Sequence, residues 1–257
     1  MKKNYSAYFP ALRTTAAWLG PMLLLAAAVA GCQTETVQLP NPGPEYYPVA
    51  VGAYRIYDVA DTSWRNNVPT ASRFQFREQV AAELSPDATG QPVYRVVRSR
   101  RATPADAWAT DSVLTVTVGR QMLTEQRNGR RTVELVFPVV EGSSWNTDTF
   151  FAPDTSRALN RVPNRYYRQA GQAFSVARAG KTYSYQNTVT TLNDLDAANG
   201  INVCGTTILR TTYAEGIGPV YRVRRRFSHE LSGSGTCNPA IKYLGQSRSE
   251  VLIESGN

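Results

Sequence analysis

Asn128-Gly129 stands between two runs of alternating side chains, Arg120 to Arg127 and Arg131 to Phe137. Both residues tolerate positive φ, which makes the pair the strongest short hairpin signal in the chain. The same two-residue period recurs in Tyr54 to Val59, Ser72 to Val80, Ser112 to Val118, Ala173 to Ala179 and Lys181 to Thr191. Ile201 to Tyr213, Gly218 to Ser228 and Gln246 to Ile253 continue it, and Val93 to Arg98 follows the turn signal Gly90-Gln-Pro92. Helical spacing with caps is scarce. Ala105 to Ala109 and Asp154 to Leu159 are each read as one helical turn, and neither is the crossover helix that parallel strands require. The expected fold is mainly β: an antiparallel curved sheet, half-barrel or sandwich with few short helices.

The amino terminus follows a different plan. Lys2, Lys3 and Arg13 precede an apolar run from Ala16 to Ala30 that contains no charged residue. The run is shorter than the about 20 residues of a spanning helix and holds Gly20-Pro21, so it reads as an export signal. It ends in Val29-Ala30-Gly31-Cys32, which resembles the lipobox of bacterial lipoproteins. The resemblance implies cleavage after Gly31, a diacylglyceryl group on the Cys32 sulfur, and often a further palmitate-like chain on the new amino terminus. Each buried CH2 contributes about 0.8 kcal/mol, so two or three chains anchor stably where one does not. The expected organisation is a signal peptide over 1–31, a lipidated Cys and Pro-rich tether over 32–45, and a single β domain over 46–257. Gln33 stands where an inner-membrane retention signal commonly has Asp, which leans the expected location toward the outer membrane of the cell envelope.

The whole chain has 257 residues and a formal charge of +8. Residues 1–31 hold three basic residues and no acidic one, leaving 25 Lys plus Arg against 20 Asp plus Glu, or +5. That excess does not identify a nucleic-acid binder, and export argues against nucleic acid as a partner. Cys204 and Cys237 are expected to pair, because an exported protein sits where disulfides persist. Two thiols and a single His cannot assemble a usual zinc set, so neither metal nor cofactor is expected.

Tyr47-Pro-Val-Ala-Val-Gly52 is echoed by Phe137-Pro-Val-Val-Glu-Gly142, ninety residues on. Two readings stand: a duplicated half, or a common way of entering a strand, with Pro at the edge and Gly at a turn. Tyr46 to Val59, Gly142-Ser-Ser-Trp145 and Thr212 to Tyr221 together resemble a loose group of uncharacterised envelope lipoproteins of Bacteroidota-type bacteria. Here Glu215 replaces a common Pro, and Pro219 a common Leu. The resemblance implies an antiparallel, mostly β module of the envelope and supplies no reaction.

Catalytic motifs are wanting. His229 lies in Arg224-Arg-Arg-Phe-Ser-His-Glu230, among cations that would depress its basicity, and reads as a strand-end surface residue. Asp148, Asp154, Asp194, Asp196 and Glu215 are candidates for a glycosidase pair, which spacing alone cannot place across a cleft. Asn193 to Gly200 has the flavour of a calcium loop but lacks the closing Glu, and reads better as a polar turn. Arg222, Arg224 and Arg226 alternate on one face of a strand, as a candidate anion-binding stripe or as a solvated face that resists edge pairing. The leading expectation is a lipid-anchored envelope protein with a binding or structural role and no catalysis. Its partners would be the membrane through Cys32 and an envelope glycan, a lipid or another envelope protein. The rivals are a lipid or acyl-chain carrier with an apolar concavity of several hundred cubic ångströms and a secreted polysaccharide hydrolase.

Overall fold

The computed structural model describes residues 43–150, 164–193 and 204–257, all within the unit Pro40–Asn257. The expected export signal, Cys32, most of the expected tether, the helical turn expected at Asp154 to Leu159 and the polar turn expected at Asp194 to Gly200 lie outside the described residues. After a 3-10 turn at Pro44–Tyr46, the first strands are β1 (Tyr54–Arg65), β2 (Val68–Leu84), β3 (Val93–Arg101), β4 (Ala109–Val118), β5 (Met122–Arg127) and β6 (Arg130–Val136). The remaining strands are β7 (Ser144–Trp145), β8 (Arg165–Arg178), β9 (Lys181–Asn193), β10 (Gly205–Ala214), β11 (Gly218–Leu231) and β12 (Cys237–Gly256). Asn128-Gly129 turns β5 into β6 with φ of 50° and 74°. Ala105 to Ala109 forms no helix. Asp106 instead accepts hydrogen bonds from the Thr103 amide and hydroxyl, and Ala109 already begins β4.

All the strands join one antiparallel sheet in the order β6-β5-β4-β3-β2-β1-β12-β11-β10-β9-β8-β7. The sheet curls until its two edges almost meet, which makes it a nearly closed barrel. At the seam the Val133 amide donates to the Thr147 carbonyl at 2.9 Å, and the Trp145 indole donates to the Val133 carbonyl at 3.1 Å. Tyr167 clamps the same edge: its hydroxyl accepts from the Val136 amide at 2.9 Å and donates to the Val136 carbonyl at 2.7 Å.

The sequence echo has a structural counterpart. The Gly52 amide bonds the Val80 carbonyl, the Ala53 amide the Ala50 carbonyl, and the Val80 amide the Ala53 carbonyl. Ninety residues later, Gly142, Ser143 and Tyr167 make the same three bonds to Tyr167, Val140 and Ser143. Gly52 and Gly142 both have positive φ, 98° and 80°. Each echo opens a run of six strands, β1 to β6 and β7 to β12. The first strand of one run meets the last of the other at both junctions, β1 with β12 and β7 with β6. Of the two readings, this arrangement fits a repeated six-strand unit.

Cross-strand partners share a face, so the register identifies the lining of the barrel. Tyr57 faces Phe76, Val59 faces Phe74, and Arg222 faces Glu250. One end is filled by Tyr46, Tyr47, Val116, Leu123, Leu135, Trp145, Tyr167, Val189 and Tyr213, all buried. The three segments quoted above, Tyr46 to Val59, Gly142 to Trp145 and Thr212 to Tyr221, thus contribute to a common apolar floor. Arg55 locks this end, donating to the carbonyls of Ile217 and Pro48 at 2.7 Å each. Outward positions carry charge, including Asp58, Arg73 and Arg225, where a strand-built membrane channel would have an apolar band.

Candidate binding site: a basic cavity inside the barrel

Above the floor lies a layer of buried charge. Arg222 on β11 donates to both carboxylate oxygens of Glu78 on β2, at 3.0 and 2.9 Å, and to Glu250 on β12 at 3.1 Å. Arg98 on β3 reaches the same two acids, at 3.2 Å for Glu78 and 2.8 Å for Glu250. The guanidinium of Arg98 lies 4.0 Å from the Phe76 ring centroid and that of Arg222 4.7 Å from Tyr57, so aromatic faces carry part of the cationic charge. Burial by itself would raise the Glu78 carboxyl, but Arg222 and Arg98 outweigh it and hold the group well below the usual carboxylate range.

Over this layer the barrel opens into a cavity of about 510 Å³. Most of its arginines stand beside acids. Arg165 pairs with Glu134 at 2.5 Å, Arg127 with Glu125 at 3.1 Å, Arg248 with Asp61 at 3.1 Å, and Arg130 with Asp148. Burial together with Glu134 raises the Glu125 carboxyl. Burial would raise Glu134 as well, but Arg165 and the Thr132 hydroxyl keep it lowered.

Arg224 and Arg226 differ from all of these. Both line the cavity and both remain open to solvent, and neither has an ion pair or side-chain hydrogen bond among the described residues. Burial lowers the pKa of Arg224, and repulsion from Arg226, Arg248 and Arg127 lowers it further. Arg226 is lowered by burial and by Arg130. Positive charge is therefore packed here until the groups repel.

The structure divides the three-arginine stripe read from the sequence. Arg222 is committed to Glu78 and Glu250, while Arg224 and Arg226 face the cavity. The stripe is not a solvated face that guards a sheet edge, because β11 is paired on both sides, with β10 and β12. Arg98, Arg127 and Arg248 join it from other strands. Arg98 belongs to the basic strand Val93 to Arg101, a second candidate stripe in the sequence, whereas no local pattern marks Arg127 or Arg248; that all of them converge depends on curvature.

Of the acids proposed as a glycosidase pair, Asp148 lines the cavity and bonds Arg130, whereas Glu215 sits in the turn beside Tyr46 at the filled end. Asp154, Asp194 and Asp196 lie outside the described residues. The carboxylates that share the cavity are Glu125, Glu134, Asp148 and Glu250, each beside an arginine. His229 bonds the Thr206 hydroxyl through Nε2 at 2.8 Å and does not line the cavity. Cys204 and Cys237 form a disulfide. Among the described residues no cluster of His, Cys, Asp or Glu suits a metal. The cavity has the volume of an acyl carrier's, but its lining is charged where that reading requires an apolar one.

No family model matches the chain, and no curated protein matches it. Among solved structures, the chain is similar to one described as the crystal structure of LprF from Mycobacterium bovis. The identity is 11% and the TM-score 0.20, over 79% of this chain and 85% of that one. A likeness of that size carries no argument about function.

Proposed function

We propose that this protein is a lipid-anchored component of the bacterial cell envelope that holds an anionic ligand in its barrel cavity, in a binding rather than a catalytic role. The observation that carries the reading is the pair Arg224 and Arg226, two cations facing an open cavity with no acid bonded to either among the described residues. Unpaired guanidinium groups in a partly desolvated cavity gain more from an anionic guest than exposed ones do. Anchorage rests on the signal and lipobox ending at Cys32, and the outer membrane is the favoured location through Gln33.

The test is native mass spectrometry of the protein purified from envelopes. An anionic small molecule or lipid should accompany the natural chain and be absent from an Arg224→Ala/Arg226→Ala variant of equal thermal stability. Identical spectra from the two, with nothing bound, would overturn the reading. Anchorage is tested separately by metabolic labelling with a palmitate analogue, which should mark the natural chain and leave Cys32→Ser unmarked.

A further inference from the structure

The pairing of charges in the cavity narrows the ligand, and the inference rests on the reading that the cavity binds an anion. Arg98 and Arg222 are matched by Glu78 and Glu250, Arg165 by Glu134, Arg127 by Glu125, Arg248 by Asp61 and Arg130 by Asp148. Arg210, which also borders the cavity, stands over Phe174 and Tyr221. It pairs in register with Val223, so it belongs to the opposite face of the sheet from Arg222 and Arg224. Among the described residues, the inward-facing arginines of the cavity that no acid bonds are Arg224 and Arg226.

These two residues are two apart on one strand, so their Cα atoms are separated by about 7 Å. Arginine side chains are long enough for both forks to close on one group between them. A planar fork of N–H donors matches the oxygens of a phosphoryl group in bidentate fashion. A phosphate monoester carries about −1.5 to −2 charge at neutral pH, which matches the charge of these two arginines. Thr211 and Asn128 also line the cavity and bring a hydroxyl and an amide suited to a hydroxylated body. A volume of about 510 Å³ accommodates a small sugar with its phosphate.

We infer that Arg224 and Arg226 form a phosphate-monoester site, and that the ligand is a phosphorylated sugar or polyol whose hydroxyl groups meet polar side chains of the cavity wall such as Thr211 and Asn128. The same chemistry occurs on a free sugar phosphate and on the phosphorylated headgroup of a lipid.

The experiment is calorimetric titration of the full chain with glucose 6-phosphate and with glucose 6-sulfate. Vesicles of phosphatidylcholine with or without phosphatidic acid are then added to the Cys32→Ser chain, so that the anchor does not itself bind them. The phosphate ester should bind at least about tenfold more tightly than the singly charged sulfate ester. Arg224→Ala and Arg226→Ala should each weaken phosphate binding by a similar factor. Arg225→Ala, on the outward face of the same strand, should leave it unchanged. Binding of the soluble ester alone assigns a free sugar phosphate, and binding only to phosphatidic acid vesicles assigns a lipid headgroup. Equal affinity for phosphate and sulfate esters, or binding of neither ester nor vesicle, would overturn the phosphate assignment. In those cases an anionic guest lost with Arg224→Ala/Arg226→Ala in native mass spectrometry would leave the broader reading standing, and its absence would end both.

Discussion

Glu78 and Arg222, 144 residues apart, meet in a two-bond contact across the inside of the barrel, although β1 and β12 separate their strands in the sheet. The contact ties the two six-strand halves together through the interior. Glu78→Gln leaves Arg98 and Arg222 competing for Glu250, and removing one partner of such a buried set costs about 3 to 5 kcal/mol. The paired change Glu78→Leu with Arg222→Met leaves Arg98 and Glu250 balanced and should recover part of that loss. Urea denaturation of the single and double variants measures both.

Acid should weaken the fold through the same residue. In the unfolded chain a glutamate titrates at about 4.3, while in the folded protein Arg222 and Arg98 hold Glu78 well below that range. The unfolded form therefore takes up the proton first. The contribution of Glu78 to stability is complete above the unfolded value and is lost as pH falls through it toward the folded one. The urea midpoint should decline between pH 5 and pH 3, with a shallower decline in Glu78→Gln.

Gly245 is held by its neighbours on both sides. Its register partners are Trp64 on β1 and Phe227 on β11, whose rings meet edge-on at 5.2 Å. A Cβ at this position would lie 2.5 Å from both the Arg226 carbonyl oxygen and Phe227 Cδ1. Gly245→Ala must displace backbone beside Arg226, at a cost of about 1 to 3 kcal/mol. A lower melting temperature with altered Trp fluorescence is the expected result.

The two echo glycines should behave alike. An added Cβ at Gly52 meets nothing within 4 Å, and at Gly142 only Arg168 at 3.6 Å, so the strain comes from φ alone. Gly52→Ala and Gly142→Ala should each cost about 1 to 2 kcal/mol. Calorimetry showing one variant unaffected and the other unfolded would break the correspondence between the halves.

Reduction should destabilise the barrel without breaking the strand order. The bond between Cys204 and Cys237 closes a loop of separation 33. The chain-entropy model assigns such a loop about 3 to 4 kcal/mol. Cys204→Ser/Cys237→Ser should show that loss in urea, with far-ultraviolet circular dichroism preserved at low denaturant.

Much of the strand pattern was legible in the chain. Lys181, Gly218 and Val93 begin strands where alternation places them, and Asn128-Gly129 turns where its tolerance of positive φ requires. The helical turn expected at Ala105 does not form, because the Asp106 side chain satisfies the Thr103 amide locally and holds a turn that no helix continues. Of the cavity, the alternation of Arg222, Arg224 and Arg226 is legible in the sequence, and Asp148 is singled out there for a different role.

The sequence by itself determined which residues share a side of each strand, since that depends only on the two-residue period of an extended chain. It also carried the lipobox pattern and the echo. Only the tertiary structure decided that the arginine stripe faces inward, that Glu78 and Glu250 pair with Arg222, and that no acid among the described residues bonds Arg224 or Arg226. Those outcomes depend on how far the sheet curls and which distant strands then confront one another. That is a sum of many small twists and bulges along the sheet, which no local run of residues encodes.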